Sequence, residues 1–173
     1  MIEFRRAALS DAATIASVRQ KAWDATYRGI YPDEMIDDYD LSRHTHREEE
    51  RLRNGNYRCY LVMDNGDCVG YFAYGIIREG VWKDFTFRLH SLYILPEYQG
   101  SGLGRIIFTQ VRADCLKLGM GRMYLDCHPA NDNALHFYRH MGGIVTYINT
   151  GHQNPCEDEC HIEFDFTKGE IHD

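Results

Sequence analysis

The sequence predicts a single α/β domain in which helices flank a mixed central sheet. Stretches of alternating apolar and polar residues indicate strands, whereas apolar residues three or four positions apart indicate helices. These stretches follow one another as a strand, a helical region, three strands, a helix, a strand, a helix and two strands. Such an order is typical of a sheet covered by helices. Because 173 residues can bury a core of their own, we expect one domain over residues 1–173.

The first third of the chain predicts one strand followed by a helical region. Residues 2–5 alternate like a strand, and Ser10 and Asp11 can cap the helix that follows. Apolar residues at helical spacing then give this helix a buried stripe, formed by Ile15, Val18, Ala22 and Ala25. The polar stretch from residue 33 to about residue 53 predicts one or two short helices.

The rest of the chain predicts the larger part of the sheet. Strands at 57–63 and 68–77 flank an Asn-Gly dipeptide, which favours a tight hairpin turn. Residues 85–95 predict the next strand, and a helix follows that begins at Leu103 and stops at Gly119. The remaining segments predict a strand, a helix and a last pair of strands, at 123–127, 131–141, 144–149 and 161–166.

Charge and hydropathy exclude several classes of partner. The formal net charge is −7, which repels nucleic acid phosphates and anionic membranes and suits a cationic small molecule. No run of residues approaches the roughly 20 apolar positions of a membrane span. The first residues lack the apolar stretch of a secretory signal, so we expect a cytoplasmic protein without nucleic acid or membrane partners.

The six cysteines lack the paired spacing of a zinc ribbon or of a redox motif. In a reducing cytoplasm we expect free thiols. Cys156, Cys160 and His161 form the one suggestive cluster, but structural zinc usually takes four ligands. We therefore expect no metal site.

A glycine-rich segment joins the predicted strand at 85–95 to the helix that begins at Leu103. Gly100, Gly102 and Gly104 leave the main chain bare at the start of the helix, where N–H groups and the helix dipole attract anions. A diphosphate would fit there, whereas the alternative is a tight turn without a ligand. The dinucleotide-binding pattern fails because its third glycine position is Arg105, and the Gly-Lys-Ser/Thr of a P-loop is absent.

The segment from Leu92 to Gly104 resembles the coenzyme A signature of the GNAT superfamily of N-acetyltransferases. That signature has Gln or Arg, two residues, Gly, one residue, then Gly or Ala, and Gln99, Gly102 and Gly104 occupy its fixed positions. The order of elements is similar over nearly the whole chain. A second set of residues is similar to the family pattern on the later helix, namely Asn131, Ala134, Phe137, Tyr138 and Gly142.

The resemblance implies acetyl-CoA as cosubstrate and assigns roles to main-chain groups. The N–H of Ile94 would point at the thioester carbonyl, and the pantetheine arm would pair with the main chain of Tyr93 and Ile94. The diphosphate would lie on the main-chain N–H groups of Gln99, Gly100, Ser101, Gly102, Leu103, Gly104 and Arg105. Family members usually carry an aromatic residue where this chain has Gly143, which predicts reduced rigidity there.

Two side chains match positions of the family pattern, and each of them also has a purely structural interpretation. Tyr138 matches the general acid that protonates the departing thiolate, and its alternative is a core tyrosine beside Ala134 and Met141. Asn131 matches a coenzyme-contacting residue, and its alternative is the N-cap of the same helix.

The sequence specifies the binding site of the acceptor amine less closely than that of the coenzyme. Trp23, Tyr27 and Tyr31 recur every four residues, so they form either a core stripe or an aromatic wall for the substrate. The Arg28-Gly29 dipeptide and the acidic run at 37–40 are expected to be solvated loop. The function expected is acetyl transfer to a primary amine of a small cationic molecule. A peptide amine, a non-catalytic acyl-CoA sensor and a homodimer stay open.

The general base is the point at which the chain departs from its relatives. Many family members carry a glutamate six residues before the position of Ile94, where this chain has Arg88, and a guanidinium does not take a proton at neutral pH. Strand alternation predicts that Arg88, His90, Leu92 and Ile94 share a face. His90 is therefore the predicted base, directly or through water. Its alternative is a histidine satisfied by neighbouring main chain, and Glu79 is the other candidate base.

Overall fold

The computed structural model describes residues 1–168 and contains a seven-stranded mixed sheet with the strand order β1-β2-β3-β4-β5-β7-β6. The strands are β1 (Ile2–Arg6), β2 (Tyr57–Asp64), β3 (Asp67–Ile76), β4 (Phe87–Ile94), β5 (Arg122–Cys127), β6 (Ile144–Asn149) and β7 (Glu159–Asp165). The helices are α1 (Ala12–Tyr27), α2 (Asp33–Asp37), α3 (Leu41–Leu52), α4 (Leu103–Lys117) and α5 (Asp132–His140). The predicted α/β architecture and element order are confirmed. Residues 169–173 of the predicted domain lie outside the described residues.

The described chain divides into two compact units. The first comprises Met1–Gly75 and His90–Gly104, and the second comprises Ile76–Leu89 and residues 105–168. Through residue 168, no helix combines the length and the apolar character needed to cross a membrane.

In the first unit, α1 and α3 pack together, and β3 is buried on both faces. A connected apolar cluster forms its core, made by Ile15, Val18, Tyr57, Cys59, Leu61, Tyr71, Ala73 and Leu95. The hairpin turns at Asn65 and Gly66, whose φ angles of 49° and 95° are those of the predicted tight turn.

The start of α1 differs from the sequence prediction. A short 3₁₀ turn at Leu9–Asp11 precedes the helix, and the Asp11 side chain makes no cap hydrogen bond to α1. Its carboxylate instead accepts from the Ala8 N–H at 2.7 Å and from the Arg5 guanidinium. The buried stripe holds at Ile15, Val18 and Ala22, but Ala25 is exposed because the last turn of α1 rises clear of the core.

In the second unit, aromatic side chains from two helices and a strand form the core. Phe108 on α4 lies 5.0 Å from Phe164 on β7, measured between ring centroids, and 6.4 Å from Tyr138 on α5. Met123 on β5 is also fully buried. The short helix α5 is thereby fixed against the sheet by its apolar face.

Gly143 follows α5 at the tightest point of this core. A Cβ built there would stand 2.5 Å from Ile162 Cγ2, 2.7 Å from the Phe164 ring and 2.8 Å from the Tyr138 carbonyl oxygen. The Gly143 N–H donates to that same carbonyl at 2.9 Å. Phe164 occupies the space that a larger side chain at 143 would need. The expectation of reduced rigidity here stays a prediction.

The crowding predicts that Gly143→Ala lowers the free energy of unfolding by roughly 1–3 kcal/mol, the usual cost of overpacking a core. Urea unfolding followed by circular dichroism measures it. Gly55→Ala is the matched control, because Gly55 has an ordinary φ and no atom within 4 Å of its added Cβ. Equal urea midpoints for the two variants would contradict the packing argument.

Candidate active site

The glycine-rich segment forms an open turn between the end of β4 and the start of α4. Gly100 and Gly102 have φ angles of 71° and 83°, in the left-handed region that favours glycine. A Cβ added to either residue would meet no atom of residues 1–168 within 4 Å. These glycines are therefore required by main-chain conformation rather than by crowding. The space outside them leaves the N-terminal N–H groups of α4 open to an anion.

The polar side chains of this turn hold its own main chain. The Gln99 amide donates to the Ile94 carbonyl at 2.9 Å, and the Ser101 hydroxyl donates to the Tyr98 carbonyl at 2.7 Å. Gln99 thus ties the turn to the end of β4. The buried Leu103 anchors the first turn of α4, whereas Arg105 is exposed. The coenzyme-binding segment predicted from the sequence is a preformed loop.

The end of β4 approaches β3 unusually closely at Gly70. A Cβ at Gly70 would stand 2.6 Å from the Tyr93 carbonyl oxygen and 3.3 Å from Ile94 Cα. The Tyr93 ring stacks on Tyr71 at 5.4 Å between centroids, and the Arg19 guanidinium lies 5.9 Å from the Tyr93 ring centroid. Tyr93 is therefore held from two elements.

The side chain of His90 does not share a face with Ile94, so that part of the sequence prediction is wrong. The His90 ring lies 5.4 Å from the Tyr57 ring, and Tyr57 and Tyr71 belong to one buried cluster. His90 and Tyr93 thus face the same side although they are three residues apart, whereas Ile94 lies against Gly70 on the other side. Strand alternation is interrupted between positions 90 and 93.

Two further residues were predicted to act at the site, Glu79 as a candidate base and Asn131 as a coenzyme contact. Glu79 is exposed in the loop before β4. Asn131 is the N-cap of α5, since its side-chain oxygen accepts from the Ala134 N–H at 3.1 Å. The capping alternative is confirmed, and the coenzyme contact stays a prediction.

Tyr138, the predicted proton donor, lies in the core of the second unit. It is 8% exposed, and its ring lies 5.1 Å from Phe137 and 6.4 Å from both Phe108 and Phe164, between centroids. These rings fix the orientation of Tyr138. Its role as a proton donor stays a prediction.

The three aromatic residues of the predicted wall do form one cluster, but not along one helix. Tyr27 and Tyr31 stack at 4.6 Å with nearly parallel planes, and Trp23 lies 5.3 Å from each. The helix ends at Tyr27, and a turn through Gly29, whose φ is 87°, brings Tyr31 back. The helical spacing therefore predicted correctly that the three rings are neighbours, but Tyr31 reaches Trp23 through a turn and not along the helix.

The segment around Arg28 is more ordered than expected. The Arg28 guanidinium pairs with Asp24, with Asp33 at 3.2 Å and with Asp37 at 2.9 Å, so α1 and α2 are tied together. These carboxylates raise the pKa of Arg28 further above its ordinary value. Asp40 caps α3 by accepting from the Arg43 N–H. These residues are exposed, as the prediction of a solvated loop requires, but Asp37 lies in α2 and Arg28 and Asp40 make specific bonds.

Sequence reasoning missed a buried polar cluster in the second unit. Asp126 on β5 stands directly opposite His161 on β7, and the two strands are antiparallel. One Asp126 oxygen lies 3.3 Å from His161 Nε2, and the other pairs with the Arg88 guanidinium. Burial raises the pKa of Asp126, while Arg88 and His161 act in the opposite direction. The signal was available as an aspartate at a strand position that points away from the apolar core.

The cysteine cluster predicted near the C-terminus takes another form. Within residues 1–168, no group of three or more His, Cys, Asp or Glu side chains is placed to hold a metal ion. The Cys160 thiol instead lies 3.9 Å from that of Cys127, its partner across β5 and β7. All six cysteines are free thiols.

The family model for the acetyltransferase (GNAT) family matches residues 16–143. This match covers the end of β4, the glycine turn and α5, where the resemblance was found. The chain belongs to the GNAT family and is an N-acetyltransferase of that family.

Particular relatives differ in their acceptors. A spermidine N(1)-acetyltransferase of Thermoplasma acidophilum is 25% identical over 149 residues, which is 82% of this chain and 87% of the relative. The L-amino acid N-acyltransferase MnaT of Escherichia coli is 28% identical over 149 residues, which is 84% of this chain and 81% of the relative.

Two solved structures share the fold. The PaiA N-acetyltransferase of Thermoplasma acidophilum, in complex with coenzyme A, has a TM-score of 0.78 at 21% identity, over 95% of this chain and 99% of that one. The spermidine/spermine N-acetyltransferase SpeG of Vibrio cholerae has a TM-score of 0.66 at 15% identity, over 96% and 95%.

Proposed function

We propose that this chain transfers the acetyl group of acetyl-CoA to a primary amine of a small cationic molecule, by direct attack of the amine on the thioester. The observation that carries the proposal is the open glycine turn at the N-terminus of α4, in a chain of the GNAT family. A turn of this kind offers several main-chain N–H groups to a diphosphate. The PaiA structure contains coenzyme A, which supports the same ligand here.

The coenzyme would be bound largely by main chain. The N–H groups from Gln99 to Arg105 would hold the diphosphate, and the main chain of Tyr93 and Ile94 would pair with the pantetheine arm. The Ile94 N–H would polarise the thioester carbonyl, since a fixed donor stabilises the oxyanion that develops there. The bond from Gln99 to the Ile94 carbonyl supports this role because it fixes the strand end that carries the donor.

The side chains would handle the protons. Tyr138 would donate its phenolic proton to the departing thiolate, and Asn131 would contact the coenzyme in addition to capping α5. The amine must lose a proton before it attacks, because few alkylamines with a pKa near ~10.4 are neutral at pH 7. His90 is the acceptor of that proton predicted from the sequence, with Glu79 as its alternative.

A cationic acceptor is supported by charge and by aromatic surface. The formal net charge is −7, and Trp23, Tyr27 and Tyr31 form one aromatic cluster in which Trp23 and Tyr27 stay partly exposed, and aromatic rings attract a cation. The relative from Thermoplasma acidophilum is named for spermidine, a polyamine, whereas MnaT is named for L-amino acids. The polyamine-like class agrees better with the charge of this chain.

The glycine turn is tested by a pair of substitutions at one position. Gly102→Asp and Gly102→Asn have the same shape and similar tolerance of a positive φ, so they differ in charge. We expect Gly102→Asp to bind acetyl-CoA about tenfold more weakly than Gly102→Asn at low salt, because its carboxylate would repel the diphosphate.

Isothermal titration calorimetry measures both affinities, and melting curves check the fold. The difference between the two variants should shrink at high ionic strength, since salt screens exposed charges. Equal affinities of the two variants at low salt would contradict the binding of the diphosphate at this turn.

Tyr138→Phe keeps the ring and removes the proton donor. We expect kcat to fall by about 10²-fold while the dissociation constant of acetyl-CoA stays within a few fold. Stopped-flow detection of thiol release and calorimetry provide the two values. Tyr60→Phe is the control, because Tyr60 is a partly buried tyrosine that stacks on Phe72 and has no predicted role in the reaction. Unchanged turnover of Tyr138→Phe across pH would rule out the general-acid role.

The acceptor class is tested with a panel of amines at saturating acetyl-CoA. An α,ω-diamine should show a higher kcat/KM than the monoamine of equal chain length, and both should exceed an L-amino acid and an N-terminal peptide. Preference for a neutral or acidic acceptor would contradict the proposal. Tight acetyl-CoA binding without turnover of any amine would indicate a sensor instead.

A further inference from the structure

Two cysteines of the second unit face each other across neighbouring strands. Cys127 is the last residue of β5, and Cys160 on β7 is its register partner in the antiparallel ladder. Their sulfur atoms lie 3.9 Å apart, and the two thiols are hydrogen-bonded to each other. Because register partners point to the same face of a sheet, the pairing of the two strands itself brings the sulfurs together.

The spacing of the two strands suits a covalent bond between these sulfurs. Register partners in an antiparallel pair have Cα atoms about 4.5–5.5 Å apart, and a disulfide joins Cα atoms about 4.4–6.8 Å apart. The sulfurs must move from 3.9 Å to a bonding distance of about 2.0 Å, which rotation of the two side chains can provide. The bond can therefore form while β5 and β7 keep their register.

The two thiols differ in exposure and in acidity. Cys160 is 1% exposed, whereas Cys127 is partly exposed at the end of its strand. The hydrogen bond between the sulfurs lowers the pKa of Cys160 against the effect of burial, and it raises the pKa of Cys127. Cys127 is therefore the sulfur that a small oxidant reaches from solvent, and Cys160 is the better attacking sulfur once Cys127 is oxidised.

We propose that Cys127 and Cys160 form a redox-active dithiol site, which hydroperoxides convert into a disulfide across β5 and β7. The inference goes beyond the proposed acetyl transfer and does not depend on it. A cytoplasmic disulfide of this kind is transient, because cellular thiols reduce it again.

The reaction has two steps. The Cys127 sulfur first forms a bond to one peroxide oxygen, the oxygen–oxygen bond breaks, and water or an alcohol leaves with the thiol proton. Cys160 then attacks the sulfenic sulfur of Cys127, the sulfur–sulfur bond forms, and hydroxide leaves and takes the Cys160 proton as water. The two sulfurs together lose two electrons, and the peroxide gains them.

The site keeps oxidation of this part of the chain reversible. A sulfenic acid without a neighbouring thiol proceeds with further peroxide to sulfinic and sulfonic acids, which are irreversible in most proteins. Here the second thiol is already in place, so the disulfide forms first. Cys127 is joined to α5 by residues 128–131, and irreversible damage at its sulfur would fall beside the helix that carries Tyr138.

The test exposes the native wild-type chain to hydrogen peroxide and then blocks the remaining thiols with iodoacetamide in denaturant. Peptide mapping by mass spectrometry without reduction should show a linked pair of peptides that joins Cys127 to Cys160, and dithiothreitol should restore both thiols. Trypsin leaves Cys156 and Cys160 on one peptide, because the sequence between Arg139 and Lys168 has no lysine or arginine. A protease that cleaves after glutamate separates the two cysteines.

Two substitutions test the order of the steps. In Cys160→Ser the sulfenic acid of Cys127 has no partner, so we expect about tenfold more labelling by dimedone than in wild type, followed by irreversible oxidation. In Cys127→Ser the buried Cys160 should resist peroxide and stay a thiol. Cys68→Ser is the matched control, because it changes another partly exposed cysteine, on β3, and should form the disulfide as wild type does.

The inference would be overturned if peroxide consumed the exposed Cys156 while Cys127 and Cys160 both stayed thiols. A disulfide that joins either of them to Cys156 would overturn it as well. Equal dimedone labelling of wild type and Cys160→Ser would exclude Cys160 as the sulfur that resolves the sulfenic acid. The mapping of the wild-type chain needs no variant, so it decides the outcome even where a substitution impairs folding.

Discussion

The conformation of the glycine turn at the junction of β4 and α4 is the constraint on which the end of the first unit depends. Gly100 and Gly102 adopt conformations that expose the N–H groups of the helix start. Gln99 and Ser101 give their hydrogen bonds to the loop itself, which fixes it before any ligand binds. A preformed loop lowers the entropic cost of binding. The tight contact at Gly70 holds the adjoining strand end in the same way.

The second unit meets a different constraint, because it buries charges beside an aromatic core. Asp126 is tolerated there since Arg88 and His161 hold its two oxygens. One face of β5 and β7 supports α4 and α5 through apolar side chains, and the other face carries Asp126 and His161. Strand alternation thus gives a single short sheet segment both a structural and a chemical surface.

Much of the fold could be predicted because each element has a local signal. The Asn65-Gly66 turn, the stop at Gly119 and the apolar periods of α1 and α4 are encoded within a few residues. The glycine turn could likewise be predicted, since positive φ angles favour glycine. The features that the sequence did not predict correctly depend on contacts between residues that are distant in sequence. The interrupted alternation of β4, the return of Tyr31 against Trp23 and the three carboxylates on Arg28 are set by packing partners. The pairing of Asp126 with His161 needs the register of β5 and β7, which no local pattern supplies.

The contact between Gly143 and Phe164 limits which substitutions these two positions can accept during evolution. The two positions share one volume, so an aromatic ring can enter that volume from only one of them at a time. A single exchange at either site passes through an overfilled or a hollow core, and both intermediates are less stable than the end points. A larger residue at 143 therefore requires adjustment of Ile162 and of the Tyr138 main chain as well as of Phe164.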